Sequence, residues 1–438
     1  MVKVKTIVRI QEEESRETQN DIFKRHKNTD STLHPFQQAR EYVRALNAAK
    51  LEKIFAKPFI AALKDHTDSV LSLARSDKYL SLAVSGSANG EIKLWDLTKM
   101  TCKLSMNEAH AGFVNGLSMR GDYFASAGRD SVIKLWSFDG NSEIYNSSMP
   151  LNAVDISWEG DLFASCGHDG VQVWDFKRSE PLSEYQWGSD STTKIKYNPT
   201  EFHLLGTTVT DRSIILIDTR ANSCLQKFTL KMKSNDFAWN PREPMNFTVA
   251  NEDTNLYTFD MRNLSEPIKI HKDHINAVTS VSYSPTGREF ASGSFDKTVR
   301  IFDVRDGRSK EVYHTRRMQW IHAVEFTGDG KFVLTGSDDT NVRVWKAKAD
   351  EQLKTLMPRE QEAINYRERL KKKYQYVPEM RRILKHRHLP RYLFKTRKIK
   401  QIQKESEFRK ERNRRAHTKP ENIKNIKEKS TVVINEEE

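Results

Sequence analysis

Cysteine is scarce in this sequence. There are three, Cys102, Cys166 and Cys224, far apart, with no C-x-x-C pair and no histidine pair at zinc spacing. That pattern points to core thiols in a reducing compartment rather than to disulfides or metal ligands. Long apolar runs are missing too. None approaches the roughly 20 residues that span a bilayer, and the opening MVKVKTIVRIQEEE lacks the apolar stretch of a secretory signal. The expectation is a soluble, intracellular protein with no membrane partner. No Gly-rich phosphate loop, nucleophile motif or metal-ligand cluster is present, so neither an enzyme nor a cofactor is expected. The last absence is acid: residues 381–400 hold nine Lys/Arg and no Asp or Glu.

The charge is correspondingly lopsided. Of 72 Lys/Arg and 59 Asp/Glu, residues 351–438 hold 26 and 13, which leaves residues 1–350 with 46 of each sign. The whole formal charge of +13 resides in the C-terminal fifth of the chain. A neutral body with a basic appendage suggests a polyanionic partner.

The neutral body is repetitive. GEIKLWDL, SVIKLWSF, GVQVWDF, SIILIDTR, NLYTFDMR, TVRIFDVR and NVRVWKA align on Trp95, Trp136, Trp174, Ile217, Phe259, Phe302 and Trp345, spaced 38 to 43 residues apart. Five units place an Asp six residues before that position (Asp130, Asp211, Asp253, Asp296, Asp339). The first has Asn89 there, and the third, one residue shorter, has Asp169. Period, Asp and aromatic together resemble the WD40 family. The resemblance implies an all-β fold, a seven-bladed β-propeller of four-stranded blades, running from about Pro58 to Ala347. It also implies a buried His–Ser–Asp–Trp set: complete as His110, Ser126, Asp130 and Trp136; with Asn89 replacing Asp beside His66, Ser85 and Trp95; and without the indole beside His274, Ser292 and Asp296. These groups read as structural, not catalytic. The segment FIAAL (59–63) precedes the first blade and is expected to supply the outer strand of the seventh, closing the ring.

Around the propeller lie an N-terminal extension, 1–57, and a basic helical tail, 348–438. Residues 41–54 predict a short amphipathic helix with Tyr42, Leu46 and Leu51 or Ala49 on one face, expected to dock on the propeller rim. In the tail, Ala363, Tyr366, Leu370 and Tyr374 form a helical stripe ending before Pro378, residues 380–388 suggest a second helix, and 392–417 a third. The acid-free run is expected to bind RNA. Its candidate residues are Arg381, Arg382, Lys385, Arg387, His388, Arg391, Tyr392, Lys395, Arg397, Lys398 and Lys400: the cations for phosphate, the aromatics for stacking on unpaired bases. His386 and His388 are two apart, a poor ligand geometry on a helix, and read as polar neighbours of the basic cluster.

The order of parts is more specific than any one of them. REYVRALNAAKLEKIFAKPF leads into the first blade, NEDTNLYTFDMR and SFDKTVRIFDVR form the middle, VYHTRRMQ opens the seventh blade, and HRHLP sits in the tail. Over essentially the full chain this is similar to the suppressor-of-fibrillarin family. Membership implies a nucleolar, non-enzymatic component of the small-subunit processome, a monomer within a large ribonucleoprotein. It would work with the small-subunit pre-rRNA, the box C/D snoRNA particle and other processome proteins. A second reading comes from three Asp-x-Arg endings, at Arg220, Arg262 and Arg305. They are similar to the motif by which WD40 substrate receptors dock on the adaptor of a cullin-RING ubiquitin ligase, although Ile217, Phe259 and Phe302 stand where that motif has Trp.

Overall fold

The computed structural model describes residues 36–159, 162–188, 190–221, 223–419 and 428–437. The extension before Leu33 lies outside them. The chain divides into two compact units, one comprising the segment up to Phe55 with Gln352–His386, the other Ala56–Glu351 with Arg387–Glu438.

The larger unit is built on seven antiparallel sheets, each of four strands contributed in sequence order except where noted below. Blade one (Val70–Arg75, Leu82–Ser87, Ile92–Asp96, Thr101–Met106) shows the logic. The first strand alternates buried and half-buried residues, the second is buried throughout, and the last alternates half-buried with exposed residues. A strand buried on both faces tolerates small residues where the next blade comes close. At Gly206 a Cβ would lie 2.4 Å from the Phe237 ring of the following blade, so a larger residue there would push the two sheets apart.

The recurring Asp has a local cause. In all seven blades the residue after it (or after Asn89) adopts a left-handed backbone: Gly90, Ser131, Gly170, Arg212, Thr254, Lys297 and Thr340. Five of these are not glycine and carry the cost of a sparsely allowed conformation. The preceding carboxylate or amide offsets it by accepting the N–H two residues on, at 3.2 Å from Val132 to Asp130, 2.8 Å from Ser213 to Asp211 and 2.9 Å from Thr298 to Asp296.

The hydrogen-bond set is complete in blade two. Trp136 Nε1 donates to Ser126 Oγ (2.9 Å), Ser126 Oγ meets His110 Nε2 (2.7 Å), and His110 Nδ1 lies 3.1 Å from Asp130. Blade six keeps His274 between Ser292 (2.7 Å) and Asp296 (2.9 Å), with Phe302 packed above. Blade one corrects the expectation for Asn89. That side chain clamps its own turn through Glu91 N–H (3.1 Å) and bonds Thr67, while the group facing His66 Nδ1, at 3.6 Å, is Glu91. Asn89 is consumed by the turn, and the next acid, two positions on, is the charge that lies nearest the imidazole.

Blade seven closes the ring as expected. Phe59–Leu63 pairs antiparallel with Val342–Lys346, with Ala62 opposite Arg343 and Leu63 opposite Val342. Blade four carries an unforeseen fifth strand, Val433–Glu437, on its outer edge.

Among the described residues the smaller unit contains three helices: α1 (Gln37–Phe55), α2 (Pro358–Lys373) and α3 (Pro378–Lys385). Ala45 and Ala49 of α1 are fully buried with Leu370 and Met380, and Tyr42 donates to Glu379 at 2.7 Å. The buried face of α1 is satisfied by helices of the tail within the same unit. Leu51, a candidate for that face, is half exposed. Two alanines at a spacing of four allow a close approach that a leucine stripe would prevent.

The buried histidines give the fold a pH limit. Burial pushes His66, His110, His274 and His271 below the ordinary imidazole value, His271 to about 4. His271 is held neutral: Nδ1 donates to the Asp306 carbonyl (2.8 Å) and Nε2 faces Thr258 Oγ1 (3.0 Å). The unfolded chain binds these protons more readily, so the stability is fully present above pH 6.5 and is lost as pH falls toward 4. His271 alone costs about 2 kcal/mol at pH 5. Thermal unfolding followed by circular dichroism should show a lower midpoint at pH 5 than at pH 7.5, with a smaller difference in His271→Asn. Identical midpoints at the two pH values would contradict this account.

Candidate nucleic-acid interface

The longest element of the tail, α4 (Arg391–Ala416), belongs to the same unit as the propeller. Its sequence is free of Gly and Pro after Pro390 and rich in Lys, Arg, Gln and Glu, all good helix formers, and Arg414 and Arg415 in the last turn suit the helix dipole. Propensity does not hold such a helix in place; docking does. Leu393 is buried, the Tyr392 hydroxyl donates to the Asp296 carbonyl, and the Lys400 ammonium donates to the Ile275 carbonyl. Arg397 lies 3.9 Å from Asp273. Just upstream, the His388 ring stacks on His314 with centroids 5.5 Å apart, and His314 Nε2 donates to the His388 carbonyl at 3.3 Å. The turn of blade six is thus used twice: the Asp296 carboxylate holds His274 while its carbonyl holds the tail.

These contacts divide the expected RNA-binding residues. Tyr392, Arg397, Lys400 and His388 make the attachments to blades five and six. Burial and the nearby Asp296 push the Tyr392 phenol up to about 12, and burial with Lys404 alongside lowers Lys400. Arg391, Lys395 and Lys398, spaced four and three, fall on the side of α4 opposite Leu393 and Lys400, and all three are exposed. Arg387 is half-buried on the approach to α4. Arg381, Arg382 and Lys385 are exposed on α3, in the helical unit. Lys385 neighbours both Arg381 and Arg382 on the helix surface, at spacings of four and three. The acid-free run is one stretch of sequence but serves two bodies.

The Asp-x-Arg endings follow the third strands of blades four, five and six, so they emerge at equivalent ends of three consecutive blades. Arg220 folds back on Asp218 through two bonds, 3.2 and 3.0 Å, and Arg262 on Asp260 through two, 3.2 and 3.3 Å. Both guanidinium groups remain largely exposed. At Arg305 the bond to Asp303 is made by the backbone N–H (3.1 Å). Two of the three arginines are therefore held as pairs and the third is arranged differently.

The fifth strand of blade four was not foreseen, although STVVINEEE carries a β-branched signal in Val432, Val433 and Ile434. Leu230 pairs with Val433, Thr229 with Asn435, Phe228 with Glu436 and Lys227 with Glu437. Val432 is buried against the core shared by blades four and five. Beside it, Lys272 pairs with Glu428 and Lys429 donates to the Ile268 carbonyl. The tail is tied to the propeller at its start, on blade six, and again at its end, on blades four and five.

A ring of WD repeats with a basic tail fastened across it defines a propeller of the WD40 class with its own C-terminal elaboration. Comparison with known proteins agrees: the WD domain, G-beta repeat, matches residues 57–96 and 100–137; the nucleolar protein 10-like N-terminal domain matches 251–371; and the Sof1-like domain matches 347–433. Curated relatives named DDB1- and CUL4-associated factor 13 are 46% identical in Xenopus tropicalis and 44% in Homo sapiens, each over 99% of both chains. The relative of that name in Dictyostelium discoideum is 43% identical over 99% of this chain and 97% of its own. The chain belongs to the suppressor-of-fibrillarin (Sof1-like) family.

If Val433–Glu437 covers the edge of blade four, removing residues 428–438 uncovers Ser223–Leu230. Hydrogen exchange of the amides in that strand should accelerate by roughly tenfold or more, with blades one and two unchanged. Unaltered exchange in Ser223–Leu230 would mean that the strand contributes no protection there.

Proposed function

We propose that this protein is a non-enzymatic assembly factor of the nucleolar small-subunit processome, needed for small-subunit pre-rRNA processing. The propeller acts as a protein scaffold for other processome proteins, and the outward face of α4 contacts pre-rRNA or the box C/D snoRNA particle. The observation that carries this reading is the concentration of the whole net charge in 351–438, the region matched by the Sof1-like domain, with Arg391, Lys395 and Lys398 turned away from the docked side of α4. Evenly spaced cations on a helix docked through its first three turns offer phosphate a preformed partner, and release of counterions makes such binding steeply salt-dependent. Phe394, well exposed on the same helix, adds a surface on which a base can stack.

A second role has its own support. The relatives are named for association with DDB1 and CUL4, and Arg220 and Arg262 are oriented by paired bonds on neighbouring blades. A guanidinium fixed by a carboxylate at its base still presents donors outward to an acidic or carbonyl-rich partner. On this reading the chain also serves as a substrate receptor of a cullin-RING ligase.

The two roles separate by mutation. Replacing Arg391, Lys395 and Lys398 with Glu should weaken binding of single-stranded pre-rRNA fragments by at least about tenfold in fluorescence anisotropy and reduce the salt slope by about two. It should also deplete in-cell crosslinks to small-subunit pre-rRNA and its guide snoRNA. Equal affinity and an unchanged slope would remove α4 from the RNA interface. Arg220→Ala with Arg262→Ala should abolish co-purification of the ligase adaptor and leave pre-rRNA processing intact. Absence of the adaptor from wild-type preparations would end the second reading.

A further inference from the structure

In the helical unit, α1 and α3 leave a groove between them with a volume of about 490 Å³. Leu46, Ile54 and Ile383 form its apolar floor, and Lys50, Lys53 and Arg382 stand along it. The spacing explains the arrangement: positions 50, 53 and 54 follow position 46 by four, seven and eight residues along one side of α1, while Ala45 and Ala49 occupy the side packed on Leu370 and Met380. Leu46 and Ile383 are half-buried and pack on the core of the unit, which leaves Ile54 as the apolar residue of the floor that the unit does not use. Ile54 is 71% exposed, in a unit whose buried core is supplied by other residues. The one carboxylate lining the groove, Glu379, accepts the Tyr42 hydroxyl.

We infer that this groove is a docking site for an amphipathic helix of a partner protein whose apolar side chains are flanked by Asp or Glu. Two neighbouring helices with an open aliphatic seam accept a third helix by ridges-into-grooves packing, which buries the seam. The cations beside the seam favour acidic flanks and disfavour basic ones, which sets partner choice and orientation. His386 completes the lining, but the floor itself is aliphatic, which suits the apolar face of a helix better than a nucleotide base. The inference concerns a surface separate from α4 and stands independently of RNA binding there.

The test uses the full chain and a fluorescein-labelled helical peptide of about 16 residues with leucines on one face and glutamates flanking them. A matched peptide with lysine for glutamate and an oligouridylate serve as competitors. The acidic peptide should bind, and the lysine peptide at least about tenfold more weakly. Ile54→Asp, chosen because the side chain is exposed and its loss spares the core, should weaken the acidic peptide by about tenfold or more. Replacing Lys50, Lys53 and Arg382 with Glu should reverse the preference between the two peptides. Reversal in a protein with unchanged thermal unfolding would establish the site. Equal binding of the two peptides, or acidic binding indifferent to both variants, would overturn it. Displacement by oligouridylate that is lost with Ile54→Asp would reassign the groove to RNA. Self-association lost with the same variant would reassign it to a second copy of the chain.

Discussion

Everything in the larger unit depends on one pairing: Phe59–Leu63, which precedes the first blade, hydrogen-bonded to Val342–Lys346, the last strand of the repeats. The two lie nearly three hundred positions apart, so the ladder carries a large loop-closure cost and returns it as a ring without an open end. Once the ring is closed, each blade buries its faces against two neighbours, and the turns of successive blades acquire fixed positions. The docking points for α4 on blades five and six, and the row of Asp-x-Arg endings on blades four to six, exist only because closure sets those positions.

The charged tail then acts through geometry as much as through charge. A free peptide with the composition of α4 would have too little apolar surface to stay helical. Buried Leu393 and the Tyr392 and Lys400 bonds hold it as an ordered element, so the remaining cations are presented at helix spacing. Part of the positive charge is consumed in that task. Lys400 and Arg397 face carbonyl and carboxylate groups of the propeller, and their side of the helix is not the side left to a ligand.

The propeller was legible because its constraints are local and repeated. The turn Asp, the aromatic one strand later and the small residues of the second strand each answer a requirement that recurs seven times, and blade two shows all of them at once. Asn89 was misread because one position serves two duties, clamping a turn and bridging a histidine, and blade one assigns the second duty to Glu91. Ala45 and Ala49 concealed the packing of α1 on the tail helices, since alanine gives a weak apolar signal yet marks a close helix contact. The candidate interface was legible as charge and illegible as orientation. Nothing in LKHRHLPRYLFKTRKIK distinguishes the side of the helix that carries Lys400 from the side that carries Lys398; that choice is made by Leu393 and by blade six. Val433–Glu437 gave too short a pattern to read, since a single edge strand is defined by the neighbour it joins.

The terminal strand has a consequence in the order of synthesis. Blades one to six can pair their own strands as they leave the ribosome, and the ring can close once Lys346 has emerged. The outer edge of blade four, by contrast, stays unpaired through the making of some two hundred further residues, until Val433–Glu437 arrives. A chain that stops before Val433 would keep a closed ring, an open strand edge and an α4 tied only through its first turns. Translation as far as Glu437 is thereby registered in the fold as the completion of a blade begun long before.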